Sequence, residues 1–274
     1  MGIRIGVIGT GEMGSGVGGH LVVHGAEVYT TLAGRSAASA ERVNRAGIAL
    51  VDDLPALART CPLVLSILPP DRALAVAEAF VEARGGVGGR TLYVDCNAIA
   101  PSTARAIGNT VTAAGMRYVD ASIIGAAPRV GRDGPHIYAC GAAADVAEFA
   151  GLNAYGLEIR PLEGVPIGAA SALKMCYAGI TKAYIGIGAA MFDHAERAGV
   201  GPALKREFEE HQVALNAWLG QMIPLMYPKA YRWIGEMREI GSFNEAEPGL
   251  GPLYEGLAQY YTMIAEMTAT KGHA

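Results

Sequence analysis

The hydrophobic pattern of the chain changes its period part-way along the sequence. Up to residue 164, short apolar runs with the length of buried strands alternate with segments that have the 3.6-residue spacing of helices. After residue 164 no strand pattern follows, and long helical patterns fill the remainder. We therefore expect an α/β domain over residues 1–164 and an all-α domain over residues 165–274.

The first half of the chain carries the strand patterns. These lie at Ile3–Ile8, Glu27–Leu32, Pro62–Leu68, Arg90–Asp95, Arg117–Ala121, His136–Cys140 and Leu157–Leu162. Between them, helices are predicted over Ala37–Ala46 and Arg72–Arg84, and another begins near Ser102. Strands that alternate with helices in this way are typical of a parallel sheet whose faces are covered by helices.

The second half begins with a long apolar helix from Ile167 to about Ala198. Further helices are predicted over Pro202–Met222, over Pro228–Ile240 and from Leu250 to the end, with Pro224 and Pro228 breaking the run between the first two. The long helix is apolar almost all round, so part of its surface needs a partner, and we predict a homodimer through the C-terminal helices. Lys174 and Lys182 interrupt its apolar run, which argues against a membrane span.

A glycine turn follows the first strand and leads into a helical pattern. Residues 9–14 read G-x-G-x-x-G. The first glycine of this motif permits a tight turn, the second lets the backbone approach a pyrophosphate, and the third lets the helix pack closely against the strand. Backbone N–H groups at the helix start would then face the phosphates. The predicted cofactor contacts are Gly9, Thr10, Gly11, Glu12 and Met13. The alternative is a glycine-rich turn that binds nothing.

The end of the second strand indicates which dinucleotide is bound. NAD-binding folds place an acidic residue there for the ribose 2′-hydroxyl, but no acid occurs between Glu27 and Glu41. The strand leads instead to Arg35 and Ser36, and a guanidinium beside a hydroxyl suits a phosphate dianion. We therefore predict NADP(H) as the cofactor. The alternative is that Ser36 only caps the next helix and Arg35 is solvated.

Two further strand ends are expected beside the glycine turn. Ligands of open α/β sheets bind outside the carboxyl ends of the strands. Leu68 and Pro69 follow one such strand, and Asn97 follows the next. We therefore predict that these residues contact the ribose and nicotinamide parts of the cofactor.

Composition and charge limit the other classes of partner. The chain of 274 residues is 51% hydrophobic and 18% charged, as in a globular protein, and its net charge is −4. No basic cluster occurs, so we expect no nucleic-acid partner. Glu207 and His211 share a helical spacing but have no second pair of ligands nearby, so we predict no metal site.

The cysteines and the N-terminal sequence bear on the compartment. Cys61, Cys96, Cys140 and Cys176 are widely spaced and each lies in an apolar run, which predicts buried, reduced thiols. The first residues lead directly into a strand without a secretory signal pattern. We therefore expect a cytoplasmic protein.

Four separated motifs resemble those of the β-hydroxyacid dehydrogenase superfamily, which contains 3-hydroxyisobutyrate and 6-phosphogluconate dehydrogenases. Residues 9–14 resemble its G-x-G-x-M-G loop, and Asp95–Pro101 (DCNAIAP) resembles its D-x-S-T-x-x-P cofactor loop. Asp120–Ala126 (DASIIGA) resembles its substrate motif D-A-P-V-S-G-G, and Gly168–Lys174 (GAASALK) resembles the G-x-G-x-x-x-K motif. The C-terminal half is similar to a bacterial branch with a phosphogluconate-dehydrogenase-like C-terminal domain.

The resemblance implies a Rossmann-type N-terminal domain and hydride transfer between a nicotinamide and a hydroxy acid or a related alcohol or carbonyl compound. Lys174 would be the general acid and base, and Tyr177 would supply a second hydrogen bond. The substrate contacts implied by the motif are Ser122, Ile123, Ile124 and Gly125. From the residues alone, Lys174 is equally a lysine reaching out of an apolar helix, and Tyr177 a core residue.

The chain also departs from the family pattern. Ser122 replaces a proline, Ile124 replaces a hydroxyl residue that helps to hold the substrate carboxylate, and Ala178 replaces an asparagine. These departures weaken the expectation of a plain small 3-hydroxy acid as the substrate, and they weaken that of 6-phosphogluconate further. Two alternatives stay open, an imine reductase on the same scaffold and a non-catalytic NADPH-binding protein. Lys174 counts against both.

Overall fold

The chain divides into two compact units, residues 1–174 and residues 175–274. The computed structural model describes residues 2–85, 91–129 and 134–271. The predicted boundary after residue 164 lies upstream of this division, because residues 168–174 are hydrogen-bonded to a strand of the first unit. Arg90, where a strand was predicted to begin, and residues 272–274, at the end of the last predicted helix, lie outside the described residues.

The described part of the first unit forms an eight-stranded sheet. Its strands are β1 (Arg4–Ile8), β2 (Glu27–Thr30), β3 (Ala49–Leu50), β4 (Leu63–Ser66), β5 (Leu92–Asp95), β6 (Arg117–Ile124), β7 (His136–Gly141) and β8 (Glu158–Pro161). They lie in the order β3-β2-β1-β4-β5-β6-β7-β8, and all neighbours are parallel except β6 and β7. The order reverses at β1 and β4, where ligands of open sheets bind.

Helices cover both faces of this sheet. They are α1 (Glu12–Val23), α2 (Ala37–Arg45), α3 (Leu54–Thr60), α4 (Ala73–Arg84), α5 (Pro101–Ala113) and α6 (Ala143–Ala150), followed by the first turns of α7 (Ala169–Arg197). Two apolar clusters result, one that contains Val7, Leu21 and Phe149 and one that contains Val64 and Phe80. The predicted Rossmann-type α/β domain is confirmed.

The second unit contains the remainder of α7 and four further helices in its described residues. These are α8 (Gly201–His211), α9 (Val213–Met226), α10 (Ala230–Phe243) and α11 (Leu250–Lys271). The predicted all-α second half is confirmed. One helix predicted over Pro202–Met222 is in fact two, because the chain leaves helical geometry at Gln212 (φ −130°, ψ 41°). Pro224, expected to break the run, lies inside α9.

Helices α7, α10 and α11 build the core of the second unit. The ring of Trp233 lies edge-on to that of Tyr261 at a centroid distance of 5.3 Å, and the Tyr261 hydroxyl donates to the Lys182 carbonyl at 2.6 Å. Lys182 also forms an ion pair with Glu236, and both side chains are largely buried. Because an unpaired buried charge is costly, this pair fixes how α7 and α10 meet.

The structure bears on two further sequence predictions. Among the described helices, none has the combination of length and apolar character needed to cross a membrane. Cys61, Cys96 and Cys140 are buried, but Cys176 is exposed, so the expectation of four buried thiols is wrong for that residue. Cys176 lies on a face of α7 that also exposes Tyr177 and Ile180. The cytoplasmic location stays a prediction.

Candidate functional site

The three glycines of the turn after β1 occupy different environments. A Cβ on Gly9 (φ +101°) would lie 2.1 Å from the Ile67 carbonyl oxygen, and a Cβ on Gly14 would lie 1.8 Å from the Gly9 carbonyl oxygen. A Cβ on Gly11 would meet nothing within 4 Å. The first and third glycines are therefore required by the protein's own packing. The open space at the second fits the close approach of a pyrophosphate.

The start of α1 is also suited to an anion. Gly11 precedes the helix without a side-chain cap, so the first N–H groups keep hydrogen-bonding capacity. Glu12 lies in this first turn and is exposed, and its carboxylate accepts a hydrogen bond from Arg129 at 2.8 Å. This ion pair offsets a negative charge that would otherwise repel a phosphate. Thr10 is buried and Met13 packs against the core, so these two offer backbone groups rather than side chains.

The segment after β2 places Arg35 and Ser36 together at the start of α2. Ser36 caps this helix, because its Oγ accepts from the Ser39 backbone N–H at 3.4 Å. Arg35 is exposed, and within the described residues no hydrogen bond or ion pair of its guanidinium is found. The capping role raised as an alternative for Ser36 is therefore present. It leaves the exposed Arg35 guanidinium available to a ligand.

Arg42 is a residue of this region that the sequence analysis missed. It is partly buried on α2, where its Nε donates to the Thr10 carbonyl at 3.0 Å and its Nη2 donates to Ser39 Oγ at 3.1 Å. The side chain thus ties α2 to the glycine turn. The signal in the sequence was the i, i+3, i+6 spacing of Ser36, Ser39 and Arg42, which puts all three on one side of a helix.

Asn97 connects the ends of β4 and β5. Its side chain is 2% exposed, its Oδ1 accepts from the Leu68 backbone N–H at 2.5 Å, and its Nδ2 donates to Ser66 Oγ at 3.1 Å. The amide therefore holds the backbone at Leu68 in place at the end of β4. Pro69 itself is exposed. Direct contact between Asn97 and the cofactor stays a prediction.

The segment that resembles the substrate motif runs from the end of β6 towards solvent. Ser122 is fully buried and its Oγ has no hydrogen-bond partner within the described residues, while Ile123 is 6% exposed. Ile124 is partly exposed, and Gly125 is exposed with φ +131°. Of the four predicted substrate contacts, Ile124 and Gly125 are thus the accessible ones.

Lys174 lies against this same segment. Its Nζ donates to the Ile123 carbonyl at 2.6 Å. Burial penalises the charged ammonium and lowers the pKa of Lys174 to about 8. A lysine that extends into solvent would not be held in this way, so the alternative of a lysine that reaches out of an apolar helix does not describe its geometry. A pKa near the pH of the cell suits a group that gives and takes a proton.

Tyr177 lies further along α7, in the second unit. Its side chain is 51% exposed, so it is not a core residue as the alternative supposed. Its role as a second hydrogen-bond donor stays a prediction.

Within the described residues, no group of three or more metal-ligating side chains is found.

Comparisons with known proteins agree with this architecture. Residues 4–154, more than half of the chain, match the NAD binding domain of 6-phosphogluconate dehydrogenase, and residues 195–264 match a domain of unknown function (DUF1932). An uncharacterized 28.5 kDa protein of Methanothermus fervidus is 30% identical over 215 residues, which are 76% of this chain and 77% of that protein.

Two solved structures share the fold over nearly the whole chain. One is a conserved protein of unknown function with structural similarity to 3-hydroxyacid dehydrogenases. It is 29% identical to this chain with a TM-score of 0.72, and the alignment covers 97% of this chain and 99% of that protein. The other is the Mycobacterium tuberculosis 3-hydroxyisobutyrate dehydrogenase. It is 18% identical to this chain with a TM-score of 0.77, and the alignment covers 97% of this chain and 94% of that protein.

These matches confirm a nicotinamide-cofactor domain of the kind found in dehydrogenases and reductases. The match to the N-terminal model alone spans more than half of the chain, and it contains the glycine turn described above. The chain belongs to the β-hydroxyacid dehydrogenase superfamily.

Proposed function

We propose that the chain is an NADP(H)-dependent oxidoreductase that interconverts a hydroxy acid, or a related alcohol, with its carbonyl compound. The observation that carries this proposal is the Lys174 ammonium, which lies 2.6 Å from the Ile123 carbonyl within the segment that resembles the substrate motif. Its lowered pKa of about 8 supports a role as general acid and base.

The chain's own residues divide the work in this proposal. A bound nicotinamide dinucleotide supplies hydride-transfer chemistry. The glycine turn and the first N–H groups of α1 hold the pyrophosphate, and Asn97 fixes the Leu68 backbone beside the nicotinamide ribose. In reduction, Lys174 Nζ donates a proton to the substrate oxygen. In oxidation, the neutral amine of Lys174 takes that proton back.

The class of substrate is tested by following NADPH absorbance against aldehydes, keto acids and cyclic imines. Oxidation of NADPH by one class of carbonyl compound would support the proposal and name the substrate type. Turnover with imines alone would replace it by the imine reductase alternative. Tight NADPH binding without turnover of any compound would favour a non-catalytic NADPH-binding protein.

The preference for NADP(H) rests on Arg35. Arg35 is exposed in the segment between β2 and α2, directly before Ser36 in the sequence, and no acidic side chain follows the strand where an NAD-binding fold would place one. Arg grips phosphate with paired hydrogen bonds, whereas the 2′-hydroxyl of NAD offers no charge to bind.

Replacing Arg35 by alanine should weaken NADPH binding by roughly 100-fold, or about 2.7 kcal/mol, and NADH binding far less. Isothermal titration with both cofactors measures this difference. Arg45→Ala is the matched control, since Arg45 is an exposed arginine at the far end of α2 that is paired with Glu41, and its loss should leave both affinities unchanged. Equal losses for NADPH and NADH in Arg35→Ala would refute the phosphate assignment.

We also propose that the chain forms a homodimer through α7. Four apolar side chains of this helix are about half exposed, namely those of Ile180 (58%), Tyr184 (54%), Ile187 (48%) and Met191 (54%). Their spacing of four, three and four residues is that of the a and d positions of a coiled coil. A stripe of this kind fits the same stripe on a second copy of the helix, which a twofold axis brings together.

The double variant Ile180→Glu/Ile187→Glu should convert the dimer to a monomer, because four buried carboxylates at the interface would lack partners. Analytical ultracentrifugation should give twice the 28.4 kDa chain mass for the wild type and the single chain mass for the variant. Val213→Glu, which alters an apolar residue of α9 with 64% exposure, should stay dimeric. A monomeric wild type would contradict this part of the proposal.

A further inference from the structure

Asp120 is a buried carboxylate in the middle of β6, with 1% exposure. Its Oδ2 accepts from the backbone N–H groups of Gly168 at 2.9 Å and Ser171 at 3.3 Å, and from Cys140 Sγ at 3.3 Å. Its Oδ1 accepts from Ser171 Oγ at 2.7 Å. All of the donors on residues 168–171 belong to the turn that begins α7. Asp120 therefore fixes the start of this helix to the sheet, where a negative charge is favourable.

Lys174 lies about one helical turn after Ser171, and Ile123 lies a short distance along β6 from Asp120. The strand thus meets the helix at two places. Asp120 holds the backbone and hydroxyl of Ser171, and the Ile123 carbonyl accepts from Lys174 Nζ at 2.6 Å. A shift of the helix start along the strand would move Nζ away from its position at the substrate motif.

The turn before α7 leaves little room for such a shift while the bonds to Asp120 are present. Gly168 has φ +100°, and a Cβ there would lie 3.1 Å from the Pro101 carbonyl oxygen at the start of α5. The chain therefore approaches α5 as closely as backbone allows, in a conformation that favours glycine. With Asp120 on the other side, the first turn of α7 is held between β6 and α5.

A second buried aspartate of the sheet has different hydrogen-bond partners. Asp95 is the neighbour of Asp120 in the register of β5 and β6, and it is equally buried. Its Oδ1 accepts from the Asn97 backbone N–H at 2.9 Å, and its Oδ2 has no hydrogen-bond partner within the described residues. Burial raises the pKa of Asp95 to about 7. In the described residues, the hydrogen bonds to the start of α7 are made by the carboxyl group of Asp120, whereas that of Asp95 bonds to Asn97.

We infer that Asp120, acting through Ser171, is a positioning residue that places Lys174 Nζ for proton transfer. This inference rests on the proposed function, because it gives Asp120 a role only if Lys174 moves the proton. Asp120 does not touch the reacting atoms itself. It fixes the origin of the helix that carries the catalytic group.

Asp120→Asn tests this inference, because an amide of the same size cannot accept hydrogen bonds from all the donors that the carboxylate satisfies. We expect kcat for NADPH-dependent reduction to fall roughly 10- to 100-fold, since small displacements of a catalytic group have effects of this size. The dissociation constant of NADPH should stay within about twofold, because the glycine turn is not altered. Ser171→Ala removes one bond and should lower kcat by about 3- to 10-fold.

The decisive measurement is the same pair of substitutions in the Lys174→Met background. A positioning residue has nothing to position there, so kcat should show no further loss and the effects should be strongly non-additive. If Asp120→Asn does not fold, Ser171→Ala with and without Lys174→Met carries the test. Wild-type kcat in both single variants, or losses of the same factor in both backgrounds, would overturn the inference. Wild-type kcat in Lys174→Met alone would instead overturn the proposed role of Lys174.

Discussion

Replacing Lys174 by methionine should lower kcat for NADPH-dependent carbonyl reduction by roughly 10²–10⁴-fold. Methionine fills most of the space of the lysine stem but has no proton to give, so the substrate oxygen would have to take its proton from water. The residues proposed to hold the cofactor lie in other segments of the chain, so NADPH should bind as before. Steady-state kinetics gives kcat, and titration of NADPH fluorescence gives the dissociation constant.

A matched control separates this effect from the loss of a lysine in general. Lys205 lies on α8 with its side chain 72% exposed, close to Glu209 at 3.8 Å. Lys205→Met should therefore change neither kcat nor NADPH binding, because exposed ion pairs contribute little. If Lys174→Met retained the wild-type kcat, Lys174 would have no part in the chemistry. If it lost NADPH binding together with turnover, its role would be in cofactor binding.

Alanine substitutions at two glycines of the G-x-G-x-x-G segment should affect different properties, stability at Gly14 and NADPH affinity at Gly11. At Gly14 the new Cβ would lie 1.8 Å from the Gly9 carbonyl oxygen, and because backbone must move, we expect a loss of about 3 kcal/mol in the free energy of unfolding. At Gly11, where φ is −69° and a Cβ meets nothing within 4 Å, the free energy of unfolding should be unchanged. NADPH affinity should fall there on the order of tenfold or more, because the Cβ takes the space of the pyrophosphate.

Chemical denaturation and NADPH titration of the two variants measure these effects side by side, so each variant is the control for the other. Unfolding of Gly11→Ala at lower denaturant than the wild type would show that the second glycine is also needed by the fold. Wild-type NADPH affinity in Gly11→Ala would mean that the open space at this position does not face the pyrophosphate.

The two-part fold could be predicted because each half has a strong and different hydrophobic period. The missed elements are short or lack that period. Strand β3 has two residues, both exposed, and α3 and α6 have 7 and 8 residues. Helix α3 did carry local signals, since Asp53 caps it and Pro55 follows the cap. At Pro224, packing of α9 around the buried Leu219 and Met226 prevailed over the tendency of proline to end a helix.

Candidate site residues could be named from the sequence where one short segment holds the whole signal. The glycine turn, Arg35 with Ser36, and Lys174 in its motif are of this kind, and the structure gives each of them a geometry that suits the predicted role. Arg42 and the bonds of Asp120 to α7 were missed because the partners of these two residues are distant in the sequence. Arg42 reaches the carbonyl of Thr10, and Asp120 reaches the start of α7 across 48 to 51 positions. Asp120 had two local signs, because it opens the segment that resembles the substrate motif and is a charged residue inside the apolar strand RYVDASII.

The most direct test of the proposed chemistry is the pH dependence of kcat/KM for NADPH-dependent carbonyl reduction, measured for the wild type and for Lys174→Met. Because burial lowers the pKa of Lys174 to about 8, its ammonium can donate below that pH and is lost above it. Wild-type kcat/KM for reduction, which reports ionisations of the free enzyme, should therefore be constant below pH 8 and fall about tenfold per pH unit above it. The small residual activity of Lys174→Met should lack this inflection. The same inflection in the variant would contradict the account, because another group would then supply the proton.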